Sequence, residues 1–335
     1  MLGPRATASR MAAALDDLFA SPDHYLHSFD GDAAIFVPMD RAAYHRSIFL
    51  DGRISPAGNT SARTPLSALV GRPPPRAPTA WIFHVAHCGS TLLARGLDRV
   101  ATNLVLREPL ALRQLALAPD AERLRVVTAM ASRRYRADLP TVIKANVPVN
   151  FILPDLVSFD EQARAIFLYL ELRDYLLAVL RNEGHREWLR RVTAQLAPHV
   201  GDLTSASDAE RAAVLWMAQM QAFSRALRDL PNARSLDAER FFAEPRPFLK
   251  LAADQLSVPI SGEESEAIVQ GPLFATYSKN PQVQFNNEMR IARRLALEQT
   301  LANELEHAER WIEKHGGAQQ AMNIIGAAAL TKVQN

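Results

Sequence analysis

Short apolar runs alternate with amphipathic segments along most of this chain. Mostly apolar stretches at residues 81–86, 103–106 and 164–170 have the length and composition of buried strands. Segments with helical spacing of apolar positions follow, the longest at residues 208–229 and 287–315. Because strands that alternate with helices form βαβ units, the pattern predicts an α/β fold, a three-layer sandwich whose central parallel sheet has about five strands.

The two ends of the chain depart from this alternation. Residues 33–39 predict an isolated strand, and residues 51–79 are rich in Gly, Ser and Pro, which predicts a long loop, either a lid or a surface loop without a role. We therefore expect residues 1–79 to form an N-terminal extension and loop, and residues 80–335 to form the main domain.

The C-terminal part predicts a loop at residues 271–285, followed by one long helix at residues 287–315. Asn286 or Asn287 would cap this helix, and the Gly316-Gly317 pair would end it. We expect one face of the helix to pack on the sheet; a contact between two copies of the chain is the alternative.

Composition narrows the function classes. Apolar residues make up 48% of the 335 residues, enough for a large core, and the net charge of +2 disfavours a nucleic-acid binder that works by bulk electrostatics. No apolar run reaches the roughly 18 residues of a membrane span. Cys88 is the only cysteine, so no intrachain disulfide forms and a cytoplasmic location is expected. Met11 is an alternative start to Met1. The sequence leaves the oligomeric state open. We expect no metal site, because no cluster of residues has the spacing of metal ligands.

The segment from Trp81 to Arg95 carries the clearest chemistry. It predicts a buried strand, a tight loop at residues 87–90 and a helix that begins near Thr91. A helix N-terminus has free N–H groups and a partial positive charge, so it favours an anion. Gly89 lets the backbone approach a phosphate, and Ser90, Thr91 and the backbone up to Leu92 would add donors.

This loop differs from the nucleoside triphosphatase motif G-x-x-x-x-G-K-[ST]. His84 replaces the first glycine and Ser90 replaces the lysine that reaches the β- and γ-phosphates, so a kinase or other phosphotransferase is a weaker alternative. Cys88 lies in the loop, where a thiol pKa tends to fall. We interpret it as small-residue packing beneath the anion; a nucleophile is the alternative.

The run from Cys88 to Leu93 resembles the S-G-T-T-L-L loop of P-loop sulfotransferases, which grips the 5′-phosphosulfate of 3′-phosphoadenosine 5′-phosphosulfate (PAPS). More narrowly, the chain resembles bacterial sulfotransferase-like proteins with an H-x-x-x-C-G-S-T-L-L-A-R loop and an upstream S-F-L-D-x-R segment, here Ser47 to Arg53. The resemblance covers roughly residues 80–285. It implies a P-loop fold and transfer of a sulfuryl group from PAPS to a hydroxyl or amine of a small molecule or glycan, with no metal.

The resemblance also implies catalytic residues. Glu108 follows the strand at residues 103–106, where several sulfotransferase groups carry a glutamate base that takes the acceptor proton. The alternative is that Glu108 pairs with Arg107 or Arg113 or caps the next helix. His87 stands where the family has Arg or Lys, and a protonated imidazole would stabilise the leaving phosphate. A neutral histidine with a structural hydrogen bond is the alternative.

The 3′-phosphate motif of the family, R-D-P-R-D-x-x-x-S in pattern, is degraded here. An alignment on Arg173 and Asp174 places Leu170 at the first arginine and Ala178 at the serine, and neither side chain binds phosphate. Arg173 or Arg181 would have to substitute, unless both are ordinary helix residues. The losses favour a second function class, a non-catalytic or repurposed nucleotide- or anion-binding protein.

Three further basic residues complete the candidate set. Lys144 ends a short strand and resembles the lysine of a K-x-P motif, although Asn146 replaces the proline. Lys279 lies in a late loop of the kind that the family closes over the nucleotide, and Arg95 lies one turn into the helix after the loop. Solvent-exposed positions with no role are the alternative for each.

Overall fold

The computed structural model describes residues 15–73, 75–99 and 102–331. Its strands are β1 His24–Asp30, β2 Ala33–Pro38, β3 Ala62–Pro65, β4 Thr79–His84, β5 Val105–Arg107, β6 Thr141–Lys144, β7 Arg164–Tyr169, β8 Ala233–Asp237, β9 Thr276–Tyr277 and β10 Asn280–Gln284.

The helices occupy much of the remaining chain. They are α1 Arg41–Arg46, α2 Leu66–Gly71, α3 Ser90–Leu97, α4 Leu110–Leu117, α5 Ala121–Ala131, α6 Leu153–Phe159, α7 Leu172–Val179, α8 Glu183–Gln195, α9 Ala197–Val200, α10 Asp208–Asp229, α11 Ala238–Ala243, α12 Pro245–Gln255, α13 Gly262–Gln270, α14 Pro272–Ala275, α15 Asn287–Thr300, α16 Ala302–His315 and α17 Ala318–Ala327. Residues 15–20 are also helical, and Val147–Ile152 form a 3-10 helix.

A five-stranded parallel sheet in the order β5-β6-β4-β7-β8 forms the centre of the fold and is flanked by helices. In its parallel pairs Val105 lies opposite Val142 and Ala165 opposite Ala233. Every residue of β4 and β6 is buried, which explains why neither strand alternates between apolar and polar positions. The predicted α/β fold with a central parallel sheet is confirmed.

Internal contacts group the chain into two compact units. Unit 1 comprises Met1–Ala80 and Asp98–Lys144, and unit 2 comprises Trp81–Leu97 and Ala145–Asn335. This grouping differs from the predicted division of the chain between residues 79 and 80. That division concerns domain organisation, which the grouping of contacts does not test, so it stays a prediction.

Unit 1 contains an antiparallel sheet in the order β1-β2-β3. The Gln114 side chain of α4 accepts a hydrogen bond from the Phe29 N–H and donates one to the Phe29 carbonyl, at 2.8 and 2.9 Å, which satisfies the backbone of β1. Buried Arg133 donates to the carbonyls of Leu18, Ser21 and His24, so one side chain holds the segment before β1.

Unit 2 is built around α10, which packs against α7, α8, α16 and α17. Ser207 and Glu210 form a reciprocal capping box at its start. Trp216 donates its Nε1 hydrogen to the Leu170 carbonyl at 2.9 Å, and Gln219 contacts buried Asn150. These apolar and polar side chains of α10 belong to the core.

Three segments differ from their predicted structure. Residues 51–79, predicted as a loop, include β3 and α2, and residues 271–285 include α14 and the β9–β10 hairpin. Asn286 caps the last amphipathic segment as predicted, but two helices that meet at Leu301 replace the single helix. Leu301 and Leu305 are buried whereas α15 buries no residue, so packing turns the chain at a point that the periodic sequence does not mark.

Candidate functional site

The loop between β4 and α3, residues 85–89, lies in unit 2 and has the predicted strand–loop–helix geometry. Gly89 has a φ of +81°, and a Cβ atom there would lie 2.5 Å from Cζ of Phe242. Only glycine fits both the left-handed backbone and the close approach of this ring. The first helical residues, Ser90 and Thr91, are buried.

His87 also has left-handed backbone, with a φ of +61°, which is uncommon outside glycine. Its ring stacks on His185 with centroids 3.8 Å apart and meets the edge of Trp188 at 5.1 Å. Nε2 of His87 and the Thr91 hydroxyl are both shielded from solvent, and within the described residues neither has a hydrogen-bond partner. Buried polar atoms are normally paired, so these two atoms point to a ligand.

The contacts of His185 fix it as a neutral imidazole. Nδ1 lies 2.8 Å from the Ala178 carbonyl and donates to it, while Nε2 accepts a hydrogen bond from Arg181 Nη2 at 2.8 Å. A second proton on the ring would place two donors face to face. Burial, together with the charge of Arg181, lowers the pKa of His185 to about 4.

The surroundings of His87 are cationic. Burial lowers its pKa well below the usual histidine value, and the nearby charge of Lys279 and Arg181 lowers it further. The largest contributions, from burial and from nearby basic side chains, all lower this pKa. Without an anion His87 is therefore neutral, and the predicted protonated form requires an anion that raises the pKa.

The structure brings several of the predicted residues together in unit 2. Arg181 donates to the Tyr277 hydroxyl at 3.2 Å, and Arg95 donates to the Ser278 carbonyl at 2.9 Å, so both contact the β9–β10 hairpin that carries Lys279. Cys88 is fully buried and its Sγ donates to the Val85 carbonyl at 2.9 Å, consistent with packing below the loop.

Leu170 and Ala178, the two positions that align with the 3′-phosphate pattern, make structural contacts in this fold. The Leu170 side chain is buried and its carbonyl is bonded to Trp216, while the Ala178 carbonyl is bonded to His185. Arg173 lies on the exposed side of α7, where it pairs with Glu309 of α16 at 2.9 Å. Arg181 contacts both His185 and the hairpin that carries Lys279, so it is the better placed of the two predicted arginines.

Glu108 lies in unit 1, directly after β5, and has a φ of +58°. Lys144, whose side chain is fully buried, donates to Glu108 Oε1 at 2.5 Å. Arg53 Nη2 lies 4.0 Å from Glu108 Oε2. Thus Lys144 and Arg53 are charged neighbours of Glu108, whereas Arg107, one of the two arginines considered from the sequence, pairs with Asp98.

The segment upstream of Arg53 holds the backbone on both sides of Glu108. The Leu50 N–H donates to the Arg107 carbonyl at 2.7 Å, and the Leu110 N–H donates to the Leu50 carbonyl at 3.2 Å. The guanidinium of Arg107, only 1% exposed, donates to the carbonyls of Tyr44 and Ser47. These bonds give the segment from Ser47 to Arg53 a physical role in fixing the position of Glu108.

Sequence reasoning missed His185, Phe242 and, as a site residue, Arg53. His185 and Phe242 carry no motif, and only the fold brings them to the β4–α3 loop. Arg53 had a signal, because it ends the upstream segment that carries part of the family resemblance. Within residues 15–73, 75–99 and 102–331, no helix is long and apolar enough to cross a membrane, and no three metal-ligating side chains converge.

Comparisons with known proteins find only weak structural similarity. No family model matches the sequence, and no curated protein matches it. The sulfotransferase domain from the curacin biosynthetic pathway is similar in structure, with 12% identity, a TM-score of 0.39, and coverage of 68% of this chain and 99% of that domain. The sulfotransferase from Alicyclobacillus acidocaldarius has 12% identity, a TM-score of 0.39, and coverage of 74% and 100%. Likeness at this level carries no argument about activity.

Proposed function

We propose that this protein is a sulfotransferase that moves a sulfuryl group from PAPS to a hydroxyl or amine acceptor of a small molecule or glycan. The observation that carries the proposal is the pair of buried atoms without a partner among the described residues, His87 Nε2 and Thr91 Oγ1, beside a helix N-terminus and two cations. Such a set favours a phosphate or phosphosulfate group.

The residues present fit the 5′ end of the donor. The backbone of Gly89 to Leu92 and the hydroxyls of Ser90 and Thr91 would hold its phosphosulfate, and His87 and Lys279 would neutralise the charge left on the phosphate. PAPS supplies an activated sulfuryl group. Arg181, whose Nε is buried without a partner in the described part of the chain, would take the 3′-phosphate in place of Leu170 and Ala178.

Glu108 is the proposed general base. A carboxylate that bonds to a buried ammonium is held in its ionised form, and that form accepts a proton from an acceptor hydroxyl. The side chain of Glu108 is 18% exposed, so a ligand has access to it.

Calorimetric titration with 3′-phosphoadenosine 5′-phosphate, ATP with magnesium, and AMP tests the donor half. We expect the bisphosphate to bind and Thr91→Val to weaken it by about tenfold, because one hydrogen bond to a charged group is lost. The folded state should not lose stability, since the hydroxyl has no partner within the described residues. Thr193→Val is the matched control, a buried helical threonine bonded to the Leu189 carbonyl. Preference for ATP would favour a phosphotransferase instead.

Release of the bisphosphate from PAPS, measured with a panel of hydroxyl and amine acceptors, tests the transfer itself. The second candidate is a nucleotide-binding protein without activity, which the loss of phosphate ligands at Leu170 and Ala178 favours. Binding of the bisphosphate without acceptor-dependent release by the wild-type protein would support that candidate and contradict the sulfotransferase.

A further inference from the structure

The imidazole of His185 contacts two candidate anion-binding side chains at once. Its ring stacks on that of His87, with centroids 3.8 Å apart and planes inclined by 20°. At the edge of the ring, Nε2 accepts a hydrogen bond from Nη2 of Arg181 at 2.8 Å. All three residues belong to unit 2, so one half-buried side chain links two groups that the proposed function assigns to the donor.

The hydrogen bonds of His185 leave it no polar atom for a ligand. Nδ1 donates to the Ala178 carbonyl at 2.8 Å, a bond from α8 to α7 that sets the tautomer and orients the ring. Nε2 therefore carries the lone pair, and Arg181 occupies it. Since both ring nitrogens are engaged, any effect of His185 on a bound anion has to act through its neighbours.

The guanidinium of Arg181 is oriented by these bonds but not neutralised by them. Its Nη2 donates to Nε2 of His185 and, at 3.2 Å, to the Tyr277 hydroxyl, and neither partner is a carboxylate. Its Nε is shielded from solvent and has no hydrogen-bond partner within residues 15–73, 75–99 and 102–331. A cation that is held in one direction, with a buried donor left over, is suited to an anion.

The stack acts on His87 as well. Its left-handed backbone, with a φ of +61°, is uncommon outside glycine and persists only where the surroundings hold it. His185 covers its ring on one side, and Trp188 of the same helix meets the ring at 5.1 Å in an edge-on contact. These two contacts fix the plane of the His87 ring, and with it the direction of Nε2, the atom that lacks a partner among the described residues.

We propose that His185 is a positioning residue of the anion site, which fixes the direction of Arg181 and the ring plane of His87 without touching the ligand. A side chain that is oriented before binding loses less conformational entropy when the ligand arrives, so the affinity rises. The inference rests on the proposed function, in which Arg181 and His87 bind the donor, and adds the residue that arranges them.

The first test compares His185→Leu with His315→Leu in calorimetric titrations with 3′-phosphoadenosine 5′-phosphate. His315 is the matched control in α16 of unit 2, because its Nδ1 also lies 2.8 Å from a backbone carbonyl, that of Trp311, and its ring also stacks on an aromatic ring, at 3.9 Å. We expect His185→Leu to weaken binding by about tenfold, since Arg181 and His87 lose their orientation, and His315→Leu to leave it unchanged.

Two polar variants divide the role of His185 between its nitrogens. His185→Gln places an amide oxygen near the position of Nε2, where it can accept from Arg181, and should recover part of the affinity. His185→Asn places an amide nitrogen near the position of Nδ1, where it can donate to the Ala178 carbonyl, but it ends before Nε2 and should bind as weakly as His185→Leu. His185→Asn also replaces His185→Leu in the comparison if the latter does not fold.

A double-mutant cycle separates positioning from a general structural role. If His185 acts through Arg181, the loss of affinity from His185→Leu should be smaller in an Arg181→Gln protein than in the wild type, because the cation that it directs is absent. Wild-type affinity of His185→Leu, an equal loss in His315→Leu, or an undiminished loss in the Arg181→Gln background would overturn this inference and leave the sulfotransferase proposal standing. Absence of bisphosphate binding by the wild-type protein would overturn both.

Discussion

His87 and Glu108 stand in similar local structure but opposite electrostatic surroundings. Each follows a strand of the central sheet, and each is a non-glycine residue in left-handed backbone, with φ values of +61° and +58°. The charges that act on His87 come from basic side chains, and they lower its pKa. Glu108 instead is a carboxylate bonded to the ammonium of Lys144 at 2.5 Å, so this neighbouring charge is opposite to its own.

This difference indicates which kind of chemical group each region would bind. Left-handed backbone at a non-glycine residue costs on the order of 1 kcal/mol and persists where the surroundings fix it. In unit 2 the cations and the buried atoms without a described partner favour a ligand with negative charge. In unit 1 Glu108 is a carboxylate bonded to the buried ammonium of Lys144, which suits a group that accepts a proton and not a site for an anion.

The largest predicted effect tests the role of Glu108 in this comparison. Glu108→Gln removes the proposed base, and we expect bisphosphate release from PAPS to slow by about 10²- to 10⁴-fold. Affinity for the bisphosphate should stay the same, because unit 2 keeps its cations. Glu122→Gln on the exposed face of α5 is the control.

Stability has to be followed in the same experiment, because Glu108→Gln leaves fully buried Lys144 without that carboxylate. Glu108→Asp keeps the charge and should preserve the thermal midpoint, yet it shortens the side chain and should remain slow. Wild-type kcat in a folded Glu108→Gln protein would remove Glu108 from the mechanism and leave only a structural ion pair.

A smaller effect, on the free energy of unfolding, is expected in the β4–α3 loop. Gly89→Ala should destabilise the protein by about 2–4 kcal/mol, from the left-handed backbone and from the overlap with Phe242. Gly201→Ala is a matched control, because Gly201 has the same φ of +81° and an added methyl group there would meet nothing within 4 Å, so it should cost only about 1 kcal/mol.

Thermal unfolding of both variants and of Gly89→Ala combined with Phe242→Leu measures the difference. The double variant should recover most of the excess loss, since the smaller side chain leaves room for the methyl group. Equal losses at Gly89 and Gly201 would show that the ring of Phe242 does not restrict the loop.

The smallest effect is the pH dependence of stability that comes from His185. Its pKa is about 4 in the folded protein and about 6.5 when unfolded, so the unfolded state binds more protons between these values. Its contribution to stability is therefore complete above about pH 6.5 and is lost as the pH falls toward 4. His185→Gln should lose less of its thermal midpoint than wild type between about pH 7 and pH 5, measured by circular dichroism. Equal losses of the thermal midpoint in the two proteins would mean that His185 takes up its proton over the same pH range in the folded and unfolded states, and would contradict the lowered pKa.

Much of the local structure could be predicted from the sequence. The strand–loop–helix around Gly89 follows from a buried apolar run and a small-residue loop, and the Ser207 capping box follows from local spacing. The division of the segment at residues 287–315 could not be predicted, because Leu301 fits the helical period and only packing marks it as a turning point.

The candidate site divides in the same way. Gly89, Ser90, Thr91 and the S-F-L-D-x-R segment are visible in the sequence, because hydrogen bonding to an anion and left-handed backbone restrict residue type at fixed spacing. The stack of His87 on His185, and the ion pair of Arg53 with Glu108 at 4.0 Å, join residues that are far apart in the chain. Contacts of this kind depend on side chains that the fold brings together, and the charge of a buried group depends on those neighbours. The sequence by itself thus determined the α/β fold and the strand–loop–helix around Gly89, while only the tertiary structure decided that burial and basic neighbours lower the pKa of His87 and that Glu108 is paired with Lys144.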